Sequence, residues 1–95
     1  MKNESLLWLD SILEKLWVKH RVDVDEVREV LQDRRTRFHF VEKGHRKGED
    51  VYAGFGRTHS GRYLIVVFIR KKDEEALIVS ARDMTKAERR RYGKK

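Results

Sequence analysis

One uninterrupted apolar segment, Tyr63 to Ile69, most constrains how this 95-residue chain can fold. A strand that is apolar on both faces must be covered on both faces, whereas a half-exposed strand alternates apolar with polar residues. The segment is also far shorter than the roughly 20 residues that a membrane-crossing helix needs. We therefore predict a central strand of a sheet, with other structure packed on each side of it.

Two amphipathic helices are predicted ahead of the sheet. Apolar residues recur at helical spacing in two segments: Ile12, Leu13, Leu16 and Trp17 in the first, and Val24, Val27, Val30 and Leu31 in the second. Ser11 and Glu14 fit a capping box, which places the first helix at about Ser11 to His20. Asp23 and Glu26 fit the same pattern at the start of the second helix.

Beyond Arg35 the apolar period changes from helical to alternating, which indicates strands. Four strand-like segments follow: Thr36 to Val41, Val51 to Thr58, Tyr63 to Ile69 and Ala76 to Arg82. In the first of them Phe38 and Phe40 alternate with Arg37 and His39, so the outer face of that strand is basic. His59-Ser60-Gly61 is typical of a hairpin loop.

The predicted fold class is α+β. Two N-terminal helices pack on a four-stranded antiparallel sheet, and Thr85 with Glu88 fits a capping box that starts a short C-terminal helix. A further short strand at Leu6 to Leu9 is an option that the pattern leaves open. Residues 1–95 are expected to form one domain with a basic C-terminal end at residues 86–95.

The distribution of charge points to a polyanionic partner. The formal net charge is +7, yet residues 1–33 carry five basic and eight acidic side chains, which leaves +10 for residues 34–95. Such a local excess of Lys and Arg suits RNA, because each phosphate that is neutralised releases condensed counterions. The alternative is a basic surface without a partner. The absence of cysteine removes any need for an oxidising compartment, so we expect a cytoplasmic protein with no membrane association.

The four histidines are the side chains that titrate near neutrality without help. Their separations of 19, 6 and 14 residues match no common zinc pattern, and no cysteine completes one, so we predict neither a metal site nor a cofactor. His39 on the outer face of a strand and His59 in a hairpin loop can reach a substrate, and the alternative for each is a solvated polar residue. His20 follows Leu16 by one turn, and its alternative role is that of a hydrogen-bonded residue at the edge of the core.

Metal-free RNA cleavage needs a base for the 2′-hydroxyl proton, cations at the phosphate and an acid for the leaving oxygen. Arg82 ends an apolar strand, where a guanidinium is either paired with a carboxylate or directed at a phosphate. Arg57, Arg62 and Arg70 flank the neighbouring strands, so the rim of the sheet can gather several arginines around one anion.

The order of several motifs resembles the BrnT-like toxins of type II toxin–antitoxin systems. The resemblance rests on Trp8, Lys19-His20 before Val22, Gly48-Glu49, Gly56-Arg57, and above all the segment Ser80-Ala-Arg-Asp-Met-Thr-Lys-Ala-Glu-Arg-Arg-Arg-Tyr92. It implies a RelE-like ribonuclease fold, RNA cleavage that halts translation, and a small antitoxin as partner. Two positions depart from the family pattern: Arg21 stands where glycine is common, and an arginine often seen early in the last strand is replaced around Ala76-Leu77.

The leading hypothesis is a metal-independent endoribonuclease toxin that acts on mRNA. Arg82 and Arg57 are the expected phosphate stabilisers, and His20 or His59 is the expected proton-transfer group. Expected contacts to the RNA backbone come from Lys19, Arg70, Lys71, Arg89, Arg90 and Arg91. The rival hypotheses are a non-catalytic basic module that binds RNA or an acidic antitoxin, and a structural interaction domain that binds no RNA.

Overall fold

The computed structural model describes residues 5–44, 49–71 and 75–93. The elements along the chain are β1 (Ser5–Leu7), α1 (Asp10–His20), α2 (Val24–Gln32), β2 (Arg37–Glu42), β3 (Val51–Arg57), β4 (Tyr63–Lys71), β5 (Glu75–Asp83) and α3 (Lys86–Gly93). His45, together with parts of the sequence-derived loops at 45–48 and 72–74, lies outside the described residues. No helix in the described ranges combines the length and the apolar character that crossing a bilayer requires.

The five strands form one mixed sheet in the order β1-β5-β4-β3-β2. β2, β3, β4 and β5 pair antiparallel in succession, and β4 lies at the centre as its apolar sequence predicts. The prediction of a four-stranded, purely antiparallel sheet is wrong, because β1 adds a fifth strand that runs parallel to β5. A strand of three residues is too short to show an alternating pattern, so the sequence indicates this strand only as an option. The α+β class itself is confirmed.

The larger core lies between the sheet and the two N-terminal helices. α1 packs against β5, while α2 packs against β3 and β4. The buried side chains of this core are Leu16, Val22, Val27, Val30, Leu31, Leu64, Val66, Phe68, Ala76, Ile78 and Ala81. Trp17, which shares the helical spacing of the apolar residues in α1, is 49% exposed and does not belong to this core.

A smaller core lies on the opposite face, beneath α3. Its buried members are Ala53, Ile65 and Met84, and Phe55, Tyr63, Val67 and Tyr92 pack against them. No residue of α3 is fully buried, so this helix covers the face only in part. α1 and α2 close one face of the sheet, which is called the helix face. α3 half covers the opposite face, which is called the α3 face.

A bulge in β5 decides which face receives Arg82. The pairing with β4 shifts by one residue between Val67 and Phe68, which leaves Val79 as the extra residue. Ile78 and Ala81 consequently both point into the larger core, although strict alternation would send them to opposite faces. Arg82 then lies directly across from Ile65, on the α3 face.

The helix starts follow the predicted capping boxes at two sites out of three. Asp23 and Glu26 exchange side-chain to backbone hydrogen bonds of 2.9 and 3.2 Å at the start of α2. Thr85 and Glu88 make the equivalent pair beside α3. The prediction for Ser11 is wrong, because α1 begins one residue earlier and the N-cap position is occupied by Leu9, without a side-chain cap. Ser11 is thus already inside the first turn.

Candidate nucleic-acid interface

An open groove of about 470 Å³ lies on the α3 face, between β2, β3 and α3. Its lining combines cationic, aromatic and apolar side chains: Arg37, His39, Val41, Ala53, Phe55, Glu88, Arg91 and Tyr92. The strand alternation that predicts a basic outer face on β2 explains why Arg37 and His39 point here. α3 contributes the opposite wall, because Glu88, Arg91 and Tyr92 recur at helical spacing. Two segments that are distant in sequence, 37–55 and 88–92, thus meet at one site.

His39 is held by an aromatic neighbour. Its ring meets Phe55 edge to face, with the ring centroids 5.2 Å apart. Arg37 pairs across the strands with the same Phe55 in the ladder of β2 and β3. An imidazole supported on an apolar ring and flanked by guanidinium groups suits a phosphodiester, because it can exchange a proton while the cations hold the charge.

Arg82 is paired with a carboxylate. Its two terminal nitrogens donate to the two oxygens of Glu88 at 2.9 and 3.0 Å, and Nη1 also donates to the backbone oxygen of Asp83. The hydrogen bond from Arg82, followed by one from the Thr85 backbone, lowers the pKa of Glu88 to about 2. The Glu88 carboxylate correspondingly raises the pKa of Arg82. This bidentate ion pair attaches the start of α3 to β5 and lies beside the groove.

A second cationic cluster lies at the end of the sheet, around Tyr63. The guanidinium of Arg57 lies 4.8 Å from the centre of the Tyr63 ring, and that of Arg89 lies 4.2 Å from it. Tyr92 meets the same ring edge to face at 6.0 Å, which connects this cluster with the groove. Arg90 and Lys86 line the adjoining surface. Two guanidinium groups on one ring present concentrated positive charge to an anion.

His20 and His59 lie apart from the groove. His59 sits in the hairpin between β3 and β4, where its side chain is 79% exposed and its Nδ1 lies 3.6 Å from an oxygen of Glu29 on α2. His20 ends α1, and its backbone oxygen accepts a hydrogen bond from Arg62. Neither of them lines the groove, so the structure does not bring the four expected catalytic residues together around it.

Arg62 joins the end of α1 to the sheet. It donates to both oxygens of Asp83 and to Glu26, and also to the backbone oxygens of His20 and Arg21. The hydrogen bond from Arg62 lowers the pKa of Asp83. Its guanidinium is therefore committed to holding the fold, although the sequence placed it among the arginines at the rim.

The other expected RNA-binding residues are distributed over the surface. Arg91 lines the groove, and Arg89 and Arg90 border the Tyr63 cluster. Lys19 is exposed on α1, whereas Arg70 and Lys71 lie at the far end of β4, where Lys71 pairs with Glu49 at 3.5 Å. Among the described residues, no three His, Asp or Glu side chains converge in a way that could hold a metal ion.

The structure places His39 in the groove, whereas the sequence favours His59 and His20 as proton-transfer groups. Pairing with Arg37, two residues earlier on the same face, is the signal that distinguishes His39. The contribution of Tyr92 and Glu88 could not be found in this way, because it depends on how α3 folds back over the sheet.

Comparison with known proteins identifies the family. The family model described as ribonuclease toxin, BrnT, of type II toxin–antitoxin system matches residues 9–88. The crystal structure of the Brucella abortus ribonuclease toxin BrnT superimposes with a TM-score of 0.65 at 14% identity, covering 88% of this chain and 100% of that chain. That likeness concerns the fold. No curated protein matches the sequence. The extent of the family match shows that the chain belongs to the BrnT family of ribonuclease toxins of type II toxin–antitoxin systems.

Proposed function

We propose that this protein is an endoribonuclease that cleaves mRNA without a metal ion and thereby stops translation in the cytoplasm. The observation that carries the proposal is the groove on the α3 face, which gathers one imidazole, two guanidinium groups and a phenol from β2 and α3. Those groups supply the base, the cations and the acid that metal-free cleavage demands. A small antitoxin protein is the regulatory partner that the family implies.

In the proposed reaction the 2′-hydroxyl of one nucleotide attacks the adjacent phosphorus. His39 accepts the proton from the 2′-hydroxyl as the new bond from the 2′-oxygen to phosphorus forms. Arg37 and Arg91 stabilise the added negative charge on the phosphorane. The bond from phosphorus to the 5′-oxygen breaks as Tyr92 donates its phenolic proton to that oxygen, which yields a 2′,3′-cyclic phosphate and a 5′-hydroxyl end.

The remaining arginines have supporting roles in this proposal. Arg82 acts through its pair with Glu88, which positions α3 and so places Arg91 and Tyr92 beside the groove. Arg57 and Arg89 bind a neighbouring phosphate at the Tyr63 cluster, about one helical turn of α3 away from the groove residues. An RNA strand that follows α3 contacts both sites, and the strand is single because paired bases hold the backbone in a rigid helix.

The decisive experiment compares two histidines of the same protein. Purified wild-type protein, His39→Ala and His59→Ala are incubated with 5′-labelled RNA in the presence of a chelator, both free and loaded on ribosomes. We expect cleavage by the wild type and by His59→Ala, and a rate about 10²–10⁴-fold lower for His39→Ala. Matched thermal melts establish that both variants fold.

The alternative function remains a non-catalytic module that binds RNA or an acidic antitoxin. Salt-dependent RNA binding by the wild type with no cleavage in either form of the assay would favour that module. Loss of cleavage in His59→Ala together with full activity in His39→Ala would move the proton-transfer group to His59 and reject the groove. The same assay with His20→Ala tests the third histidine.

A further inference from the structure

The outward face of α1 carries exposed apolar side chains between charges of opposite sign. Trp17 and Val18 are 49% and 63% exposed, whereas Leu16 of the same helix is buried. At 100° per residue, Asp10, Glu14, Trp17 and Val18 project within an arc of about 100° that faces away from Leu16. The acidic residues come first and the apolar residues follow. This set, completed by Arg21 directly after the helix, is called the outer face of α1.

Arg21 holds an unusual conformation at the end of this face. It is the one non-glycine residue with positive φ in the described part of the chain, at 51°. Glycine adopts the left-handed conformation readily, whereas residues with a Cβ do so at an energetic cost. The guanidinium of Arg21 nevertheless lies 5.1 Å over the ring of Trp17, on the protein surface. A side chain retained where glycine would relieve the backbone suggests that the guanidinium itself has a use.

The outer face of α1 is complementary to itself. Asp10 and Arg21 are eleven residues apart, which is three helical turns and about 16 Å, and they project in nearly the same direction. A second copy of α1, laid antiparallel about a two-fold axis midway between these residues, brings Asp10 of each copy opposite Arg21 of the other. The two Trp17 rings then meet near the axis, Val18 lies at one edge of the contact, and Glu14 lies one turn from Arg21 of the other copy on the side of Asp10.

We propose that the outer face of α1 is a self-association surface through which two copies of this chain form a symmetric dimer. The occupant is a second copy because Asp10 of each copy pairs with Arg21 of the other and the exposed Trp17 side chains meet between these pairs. RNA is disfavoured on this face, since Asp10 and Glu14 repel phosphate. The surface is small, so association is in the micromolar range or weaker. The proposal is independent of RNA cleavage, because the groove lies on the α3 face and α1 packs on the helix face.

The first test measures the mass of the full-length chain by sedimentation equilibrium from about 1 μM to about 1 mM. We expect a reversible shift from monomer to dimer, accompanied by a blue shift of tryptophan emission as Trp17 leaves water. Val18→Lys and Trp17→Glu each raise the dissociation constant at least tenfold. Val79→Lys changes an exposed valine on β5 and serves as the matched control that leaves it unchanged.

A charge exchange tests the antiparallel arrangement itself. Asp10→Arg alone places arginine opposite arginine in the dimer, and Arg21→Asp alone places aspartate opposite aspartate. Each variant is therefore expected to be monomeric. An equimolar mixture restores both ion pairs, so it forms a dimer with one chain of each kind. Arg21→Gly, which relieves the positive φ, is expected to keep the fold, raise the melting temperature and weaken association.

Three outcomes would overturn the proposal. One is a wild-type chain that stays monomeric up to the highest concentration. Another is a dimer that Trp17→Glu, Val18→Lys and the charge variants leave intact, because it would use another surface. The third is Trp17 emission that responds to a uridine oligonucleotide and not to protein concentration, which would make this face a base-stacking site. Circular dichroism of each variant separates a lost interface from a lost fold.

Discussion

The two faces of the sheet are built from the same strands and differ in what covers them. On the helix face, Phe68 and Val66 lie among fully buried neighbours beneath α1 and α2. On the α3 face, Val67 and Phe55 are only partly covered, and His39 and Arg37 line an open groove. Alternate residues of one strand thus lie in different environments, because successive side chains point to opposite faces.

This division separates the face that stabilises the fold from the face that carries the proposed site. The helix face supplies most of the apolar burial, which is roughly proportional to the stabilisation of the fold. The α3 face can therefore carry cations and a histidine at little cost, since its polar groups stay in contact with water. The ion pair between Arg82 and Glu88 contributes both to the fold and to the proposed site, because it stabilises the docking of α3 and lies beside the groove. Substitutions on the helix face should lower the free energy of unfolding, whereas substitutions on the α3 face should mainly change RNA binding.

The largest expected effect comes from a phenylalanine on the helix face. Phe68 is 1% exposed and contacts the rings of Phe38 and Tyr52, each at 6.0 Å. Phe68→Ala is expected to lower the free energy of unfolding by about 3–5 kcal/mol, because it removes a buried ring and leaves a cavity. Phe55→Ala, on the α3 face, should cost at most about 2 kcal/mol since its ring is partly solvated. Denaturant titrations of both variants measure the difference, and equal losses would contradict the division.

A glycine on the helix face should give the next largest effect. A Cβ added at Gly56 would meet the hydroxyl of Thr36 and, at 3.0 Å, a methyl group of Val30. Thr36 cannot yield freely, because its hydroxyl donates to the backbone oxygen of Val30. Gly56→Ala should therefore destabilise the fold by about 1–3 kcal/mol through overpacking.

The control for that glycine is at the other end of the chain. A Cβ at Gly93 would have no heavy atom within 4 Å, and Gly93 is the last described residue of α3. Gly93→Ala should leave the melting temperature close to that of the wild type. A Gly56→Ala variant as stable as Gly93→Ala would show that α2 can withdraw from β3, so that the helix face would be looser than its burial indicates.

An arginine in the groove should change RNA binding and leave stability almost unaltered. Arg37→Ala removes one cation, which is expected to weaken RNA binding about tenfold at moderate salt. The slope of log affinity against log salt concentration should fall in magnitude by about one. The free energy of unfolding should change by less than about 0.5 kcal/mol. Arg28→Ala on α2, whose partner is Asp25, is the matched control. Equal loss of affinity in both variants would mean that RNA binds diffusely.

Most of the fold could be predicted because its signals are local. The apolar run of β4 marks a central strand, and the capping pairs at Asp23 and Thr85 mark the starts of α2 and α3. β1 could not be predicted with assurance, since a parallel partner 70 residues away gives no local pattern. The bulge at Val79 gives no local signal either, because the residues on both sides of it are typical of a regular strand.

The candidate site was less predictable than the fold. The arginines of the last helix and the basic face of β2 are visible in the sequence, but their meeting depends on where α3 docks. Arg82 illustrates the limit: the sequence weighed a carboxylate partner against a phosphate, and only the folded chain places Glu88 within 3.0 Å of it. Its position in a loop makes His59 a candidate, and only the folded chain shows that its imidazole lies beside Glu29 and away from the groove.

The smallest expected effect concerns the docking of α3 at low pH. The pKa of Glu88 is lowered to about 2 in the folded chain from an ordinary value of 4.5, mainly by Arg82. A carboxylate with a lowered pKa stabilises the fold above its ordinary pKa and loses that contribution as the pH falls towards the lowered value. Between about pH 4.5 and pH 2, α3 should therefore loosen from the sheet.

Nuclear magnetic resonance can follow this loosening through the contact between the rings of Tyr63 and Tyr92. We expect that contact to weaken in acid while the contact between Phe38 and Phe68 on the helix face persists. Glu88→Gln should show the loosened state already at neutral pH, because an amide gives Arg82 no charged partner. If both contacts instead vanish together at one pH in the wild type, α3 belongs to the same cooperative unit as the larger core, and the independence of the two faces is refuted.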